Sequence, residues 1–329
     1  MSPIRAFGAA AVPIAVALAV FATSVAAQQY PTRNISMIVP YAAGGPTDTV
    51  ARVTAQAMGK PLGQTIIVEN RPSAGGILGP EQVKNSKPDG YTILIHHIGM
   101  ATTPALYRNL RFKPLEDFEP IGLINDVPMT IIGKPQLPAK DFKEFLAYIK
   151  KNKDKVSYAN AGIGAASHLC GMLFMSAIET DFLTVPYKGT APAMNDLLGG
   201  QVDFMCDQTT NTTSQIKSGK VKAFAVTSAK RVPSLPDIPT LQEVGVKGAE
   251  VGIWHGLYAP KGTPKPVLDK LVGALQDTLK DEAVQKRFSD LGATTYPVSM
   301  ATPAALQKHL KAEMEKWGPL IKKAGVYAD

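Results

Sequence analysis

From Ile35 onward the chain repeats one pattern. Short runs of β-branched and apolar residues, "ISMIVP", "TIIVEN", "YTILIHH", "VSYAN", "FLTVPY", "VDFMCD" and "VKAFAVT", each lead into a loop of small residues. A segment with apolar positions three and four apart then follows, the spacing of an amphipathic helix. Several runs are continuously apolar instead of alternating, as strands of a parallel sheet are when helices cover both faces. One helix is legible in detail. Asp141 and Glu144 read as a capping box, and Phe142, Phe145, Leu146 and Ile149 fall on one face of "FKEFLAYIKK". The pattern predicts an α/β chain with a mostly parallel sheet in each of two lobes.

The C-terminal third changes character. "TPKPVLDKLVGALQDTLKD" and "TPAALQKHLKAEMEKWGPLIKKAG" are helical, the second with Thr302 as N-cap, Pro303 in the first turn and Gly325 as its stop. They bring no strands of their own, so they are expected to pack on a lobe that already exists. The organisation predicted is therefore discontinuous. Residues 28–125 and 228–329 form one lobe, residues 126–227 form the other, and two strands cross between them as a hinge.

The N-terminus lies outside this pattern. Arg5 precedes the apolar stretch "FGAAAVPIAVALAV", and "SVAAQQ" supplies small residues for a cut after Ala27. Pro13 and the shortness of the apolar core argue against a membrane span. The expectation is an exported, periplasmic protein with a cleaved signal peptide at 1–27. Gln28 in place of Cys at the new terminus gives no lipid attachment point. The net charge is +8, and much of it sits on helices such as "KDFKEFLAYIKKNKDK", where a solvated face is the plain reading. No aromatic-interleaved basic stripe is present, so no nucleic-acid partner is expected. The two cysteines, Cys170 and Cys206, permit one disulfide in an oxidising compartment, or equally two buried thiols.

In a parallel sheet the loops after the strands gather at one edge, where ligands bind. The first is "PYAAGGPTD", in which Gly44 and Gly45 admit a close ligand and Thr47 or Asp48 caps the following helix. "ENRPSAGG" and "HHIGMATTPALY" come next, then "NAGIGAASHL", "YKGTAPAMNDLL" and "CDQTTNTTSQI". Nearly all end as helix starts. Several helix N-termini meeting in one cleft make a positive potential without a formal cation, and a carboxylate is the natural guest. Asp207, at a strand end, either accepts a hydrogen bond from a ligand or water or caps the next helix.

Reactive chemistry finds little footing. No G-x-S-x-G elbow occurs, and Ser167 and His168 are sequence neighbours, a poor arrangement for a nucleophile and its base. The five histidines and two cysteines show no zinc spacing. His96 and His97, adjacent in a strand, are expected to face opposite ways. "GIGAAS" lacks the last glycine of the dinucleotide fingerprint. Neither an enzyme nor a cofactor or metal is expected.

The stretch "YPTRNISMIVPYAAGGPTDTVARVTAQAMGKPLGQTIIVENRPSAGGILG" resembles the opening of the Bug-type solute-binding proteins of tripartite tricarboxylate transporters. "KPDGYTILI", "VPYKGTAPAMNDLLGGQVD", "VTSAKRVPSLPDIPTLQEVG" and "GLYAPKGTP" continue the likeness in order. The resemblance implies a monomeric periplasmic receptor of the type II-like two-lobe binding-protein fold. Such a receptor closes like a flytrap on a small carboxylate and delivers it to separate membrane permease subunits. Carried over by position, the family's gripping loops fall on Ala43, Gly44, Thr47 and Asp48 in one lobe and on Ala161, Gly162, Gly164, Ser167 and His168 in the other, with Asp207 lining the same cleft. Tyr41 replaces a more usual phenylalanine. "HHIGMATTP" brings His96 and Met100 near the cleft, and together these lean the ligand toward an aromatic carboxylate such as terephthalate, with C4–C6 aliphatic dicarboxylates as the alternative. Both cysteines stand where the family usually has other residues, which favours a Cys170–Cys206 disulfide on the floor of the second lobe.

Overall fold

Seven of the strands named below follow the seven apolar runs read above, and the core shows why. In Ile35–Val39 every residue but Ser36 is buried, so the run can only be an interior strand. A computed structural model describes residues 30–325, 327 and 328; the expected signal segment lies outside the described residues. The elements are β1 (Ile35–Val39), α1 (Pro46–Leu62), β2 (Ile66–Asn70), α2 (Leu78–Lys84), β3 (Thr92–His97), α3 (Gly99–Leu106), β4 (Phe118–Gly133), α4 (Phe142–Lys151) and β5 (Ser157–Asn160). There follow α5 (Ala166–Ile178), β6 (Leu183–Pro186), α6 (Thr190–Leu198), β7 (Phe204–Gln208), α7 (Thr209–Lys217), β8 (Lys222–Val226), β9 (Gly252–Pro260), α8 (Lys265–Lys280), α9 (Glu282–Asp290), β10 (Thr294–Thr295) and α10 (Pro303–Ala324).

The strands run in the order β2-β1-β3-β9-β4-β7-β5-β6, with β8 and β10 also pairing with β4. β1 pairs in parallel with β2 and β3, and β5 with β6 and β7. Where β9 and β4 enter, the pairing is antiparallel. The sheet is therefore mixed, and mostly parallel pairing holds only on its two outer sides. β4 and β9 had no place in the strand-loop-helix pattern because each carries residues that mimic a loop. β4 holds Pro120 and Pro128, and β9 holds Gly252, Gly256 and Pro260. Pro120 is tolerated because the β4–β9 register shifts beside it.

β4 is long enough to serve both halves. Its residues from Phe118 to Pro128 pair with β9, and those from Met129 to Gly133 pair with β7 and β8. The chain's return path crosses at Thr227. The Thr227 amide donates to Met129 O at 2.9 Å, its hydroxyl accepts from Met129 N at 2.9 Å, and that hydroxyl donates to Val251 O at 2.6 Å. One buried threonine thus stitches both crossings together.

The two halves have different cores. Around β1 and β3 the first is aliphatic, built on Ile35, Met37, Ile38, Ile93, Leu94 and Ile95, all at most 1 % exposed, with Phe112, Phe118 and Tyr258 packed edge-to-face along β4 and β9. The second is aromatic. Phe145 stacks on Phe224 with centroids 4.2 Å apart, and Phe204 meets Tyr158 at 5.1 Å and Phe182 at 5.3 Å. Two of the helix signals hold: Asp141 accepts from Glu144 N at 2.8 Å, and Thr302 accepts from Ala305 N at 3.2 Å. Cys170 and Cys206 are joined, with Cα atoms 6.2 Å apart, tying α5 to β7.

Candidate functional site

The first loop is organised by Asp48. Its helix, α1, starts two or three residues earlier than a cap at Thr47 or Asp48 would place it, with Gly45 as N-cap and Pro46 in the first turn. Asp48 therefore does not cap by the ordinary route. Its carboxylate accepts from Gly44 N at 2.9 Å, from Arg52 Nε at 2.8 Å and Nη2 at 3.0 Å, and from Asn70 Nδ2 at 3.0 Å. Burial alone would raise its pKa, but the bonds from Arg52, Gly44 N and Asn70 outweigh that and hold it below the usual carboxylate range. Such a saturated carboxylate has no capacity left for a guest. Ala43 and Gly44 point outward and are exposed. They shape the loop, with Gly44 at φ 79°, a backbone region open to glycine.

What the first half turns inward is Tyr41, Thr47 and His97. Tyr41 is 5 % exposed, donates to Gly75 O at 3.3 Å, and stacks on His97 with centroids 4.8 Å apart. Adding a Cβ at Gly76 would bring it within 2.6 Å of the Tyr41 ring, so only glycine lets that ring sit there. His96 and His97 do not part as strand alternation predicts. β3 ends at His97, where His97 N donates to His96 Nδ1 at 2.8 Å and Gly99 N to His97 Nδ1 at 2.9 Å, and the rings stay 5.0 Å apart. His97 borders the cavity, whereas His96 lies behind it in the core. Behind them, His255 places Nε2 3.5 Å from Thr47 Oγ1. Burial pushes the pKa of His96 down to about 4 and of His255 down to about 3, and that of His97 well below its ordinary value. All three are neutral imidazoles at pH 7.

The second half supplies the start of α5. Ser167 Oγ accepts from Ala161 N at 2.8 Å, which leaves the hydroxyl proton free to donate. Tyr158 donates to Ser167 O, and Asn160 Oδ1 accepts from Gly162 N at 2.8 Å. Gly162 and Gly164 do not reach the cavity. They meet the first half instead: Tyr107 donates to Ile163 O at 2.8 Å and Thr102 to Gly164 O at 3.2 Å. A Cβ at Gly162 would lie 2.7 Å from Gly75 N. His168 is likewise elsewhere. Its Nδ1 accepts from Gly164 N at 3.4 Å, burial pushes its pKa down to about 4, and it borders a separate cavity of about 580 Å³. Among the described residues no hydrogen bond joins Ser167, His168 and Asp207 to one another.

Of the residues named from sequence, Tyr41, Thr47, Ala161, Ser167 and Asp207 share one cavity. Ala43, Gly44, Asp48, His96, Gly162, Gly164 and His168 do not border it. Gly45, read from sequence as a glycine that admits a close ligand, does border it, and the sequence reading missed His97, Pro46, Ala165, Ala166, Thr190 and Gln208, which also do. The available signal was position, since nearly all of these sit at or just before a helix start within loops already singled out. Gly45–Thr47 open α1, Ala165–Ser167 open α5, Thr190 opens α6 and Gln208 caps α7. The N-termini of four helices, none shorter than nine residues, thus converge from both halves. Among the described residues no lysine or arginine borders the cavity. Its volume is about 20 Å³, room for about one water, so a larger guest requires the halves to part.

Residues 50–326 match the tripartite tricarboxylate transporter family receptor. The chain belongs to this family. An Agrobacterium vitis protein of the TAR-I ttuE-ttuC' intergenic region is 51 % identical over 300 residues, 91 % of this chain and 87 % of its own length. The structure of the periplasmic binding protein BugD superposes with TM-score 0.88 at 59 % identity, covering 91 % of this chain and 99 % of BugD. MatC of Rhodopseudomonas palustris with bound malate gives 0.85 at 38 % identity, covering 89 % of this chain and 100 % of MatC. An R. palustris protein determined with adipate gives 0.86 at 30 % identity, covering 91 % and 99 %. The fold is that of the α/β periplasmic binding proteins, and the family is one of solute receptors.

Proposed function

We propose that this protein is an exported periplasmic receptor that closes on a small organic dicarboxylate and hands it to the membrane permease subunits of a tripartite transporter. One observation carries the reading: four helix N-termini, drawn from both halves, meet at a cavity bordered by hydroxyls and backbone amides with no basic side chain. Hydrogen bonds to a charged group are worth about 1.5–3 kcal/mol each, so a few pre-aimed amides suffice for about micromolar affinity. Residues 28–125 and 228–329 act as one lobe and 126–227 as the other. They part about the crossing stitched by Thr227, beside Met129 of β4.

Within that class we favour an aliphatic C4–C6 dicarboxylate over terephthalate. The aromatic alternative drew on Tyr41, His96 and Met100. The face of Tyr41 is taken by His97, while His96 and Met100 are fully buried away from the cavity. Malate and adipate in related receptors point the same way. A role as a ligand sensor for a membrane kinase uses the same cleft and is separated only by the partner. Hydrolysis by Ser167, His168 and Asp207 finds no hydrogen-bonded relay to use.

The test is a melting series with malate, adipate, terephthalate and monocarboxylates. At ligand about 100 times its dissociation constant, stabilisation approaches about 2.7 kcal/mol. At least one aliphatic dicarboxylate is expected to reach that level. A series in which no carboxylate moves the melting point removes the reading, and turnover of an ester abolished by Ser167→Ala would replace it.

A further inference from the structure

We propose that Asp207 takes up one proton as the dicarboxylate is enclosed, so that the anion and the proton are captured together. This rests on the reading of the cleft as a carboxylate site and adds what the site does with charge.

Asp207 is the penultimate residue of β7 and is fully buried in the cavity wall. Its Oδ1 accepts from Gln208 N at 2.9 Å and its Oδ2 from Asn211 Nδ2 at 2.5 Å. Cys206, the preceding residue, is bonded to Cys170 on α5, so the strand end cannot swing away. The groups packed around it are all uncharged at neutral pH. Thr130 on β4, Ser167 on α5, Thr190 on α6 and Thr47 on α1 bring hydroxyls. The titratable neighbours are Tyr158 on β5 and, across the cavity, Tyr41 and His97. Burial raises both phenols, well above the ordinary value in Tyr41, and lowers the imidazole.

A dicarboxylate closed into this cavity therefore meets a like charge with no cation to screen it. Two carboxylates at contact cannot both stay ionised, and one proton shared between them turns repulsion into a short O–H···O hydrogen bond. Even without a guest, burial pushes Asp207 up to about 6, against the opposing bonds from Asn211, Gln208 N and Thr190. At pH 7–8 the free protein is thus ionised at Asp207. Enclosing the anion lifts that pKa further, and the proton comes from bulk solvent. Nothing else is made or broken.

The sign follows from linkage. Between pH 6 and 8, affinity falls as pH rises, by up to about tenfold per unit, and it flattens below about pH 6, where the free carboxyl is already protonated. Capture is also selective, since a guest must tolerate a neutral carboxyl donor beside it.

The experiment is calorimetry at pH 7.5 with malate and with adipate, in phosphate and in Tris, on the wild type and on Asp207→Asn. For the wild type the heats in the two buffers should differ by an amount equal to about one proton taken up per ligand. Asp207→Asn should show equal heats, a flat pH profile and tighter binding than the wild type at pH 8. ¹³C NMR of the Asp207 carboxyl in the wild type, free and bound, reads the same proton without a substitution. Equal wild-type heats overturn the proposal, as does uptake that persists in Asp207→Asn. Loss of binding in that variant at every pH also overturns it, because the carboxylate would then be serving as a charged acceptor for a cationic guest. Absence of heat with either acid is a different failure, that of the carboxylate reading itself.

Discussion

Each half of the molecule sets one aspartate beside a helix that starts at the cavity, and the two are treated in opposite ways. Asp48, in the first half, spends its carboxylate on Gly44 N, Arg52 and Asn70. Asp207, in the second, accepts from Gln208 N, Asn211 and Thr190, all uncharged, and among the described residues no cation borders its cavity. One carboxylate is tied down and shapes a loop. The other is held rigid but electrically unsettled, at the place where a guest would sit. The supports differ as well. The first half fixes its loop by charge and the second by a covalent bond between α5 and β7. The lesson is that an acidic residue in a small-residue loop says little until its partners are counted.

Four expectations break or sharpen that contrast. The disulfide closes a separation of 36 residues, so Cys170→Ala with Cys206→Ala should cost about 4 kcal/mol, read by denaturant unfolding with and without reductant. Reductant should lower the wild-type midpoint and leave the double variant unmoved. Asp207→Asn acts in the other direction. A folded pKa raised to about 6 means that ionisation opposes folding above that pH. The variant should therefore be more stable than the wild type at pH 8, by about 1–3 kcal/mol, with the gap closing as pH falls through 6 toward 4. Equal melting points at pH 8 would contradict the unsettled state of that carboxyl.

Asp48→Asn should show the opposite sign. Its folded pKa is depressed, so its contribution is present above the unfolded value and is lost as pH falls through the folded one. Because Arg52 is half-exposed, the loss near pH 7 should be modest, about 1–2 kcal/mol, and should vanish in acid. Thr47→Ala is the smallest change. It removes one hydroxyl at the cavity and should weaken dicarboxylate binding by about 1 kcal/mol, with the unliganded melting point nearly unchanged. A fall in the unliganded melting point would make Thr47 a structural partner of His255 instead.

Much of this was legible in the chain. Continuous apolar runs gave the outer strands, capping residues gave α4 and α10, and the small-residue loops gave the edge where helix starts collect. The rest was hidden for definite reasons. β4 and β9 carry prolines and glycines that read as turns, and a register shift beside Pro120 is part of what accommodates them. Alternation placed His96 and His97 on opposite faces, yet the strand ends there and both rings stay inside. Ala43, Gly44, Gly162 and Gly164 were chosen as backbone that comes close to something. Ala43 and Gly44 are exposed instead, while Gly162 and Gly164 do come close, but to the other half of the protein and not to a guest.

The most direct measurement is a crystal structure with the dicarboxylate that binds best in the melting series. The expected result is one carboxylate of the guest between the halves, its oxygens about 3 Å from amides or hydroxyls at the starts of α1 and α5. A guest bound instead on the outer surface, against Arg52 or the exposed lysines, with the space between Thr47 and Ser167 unchanged, would contradict the account.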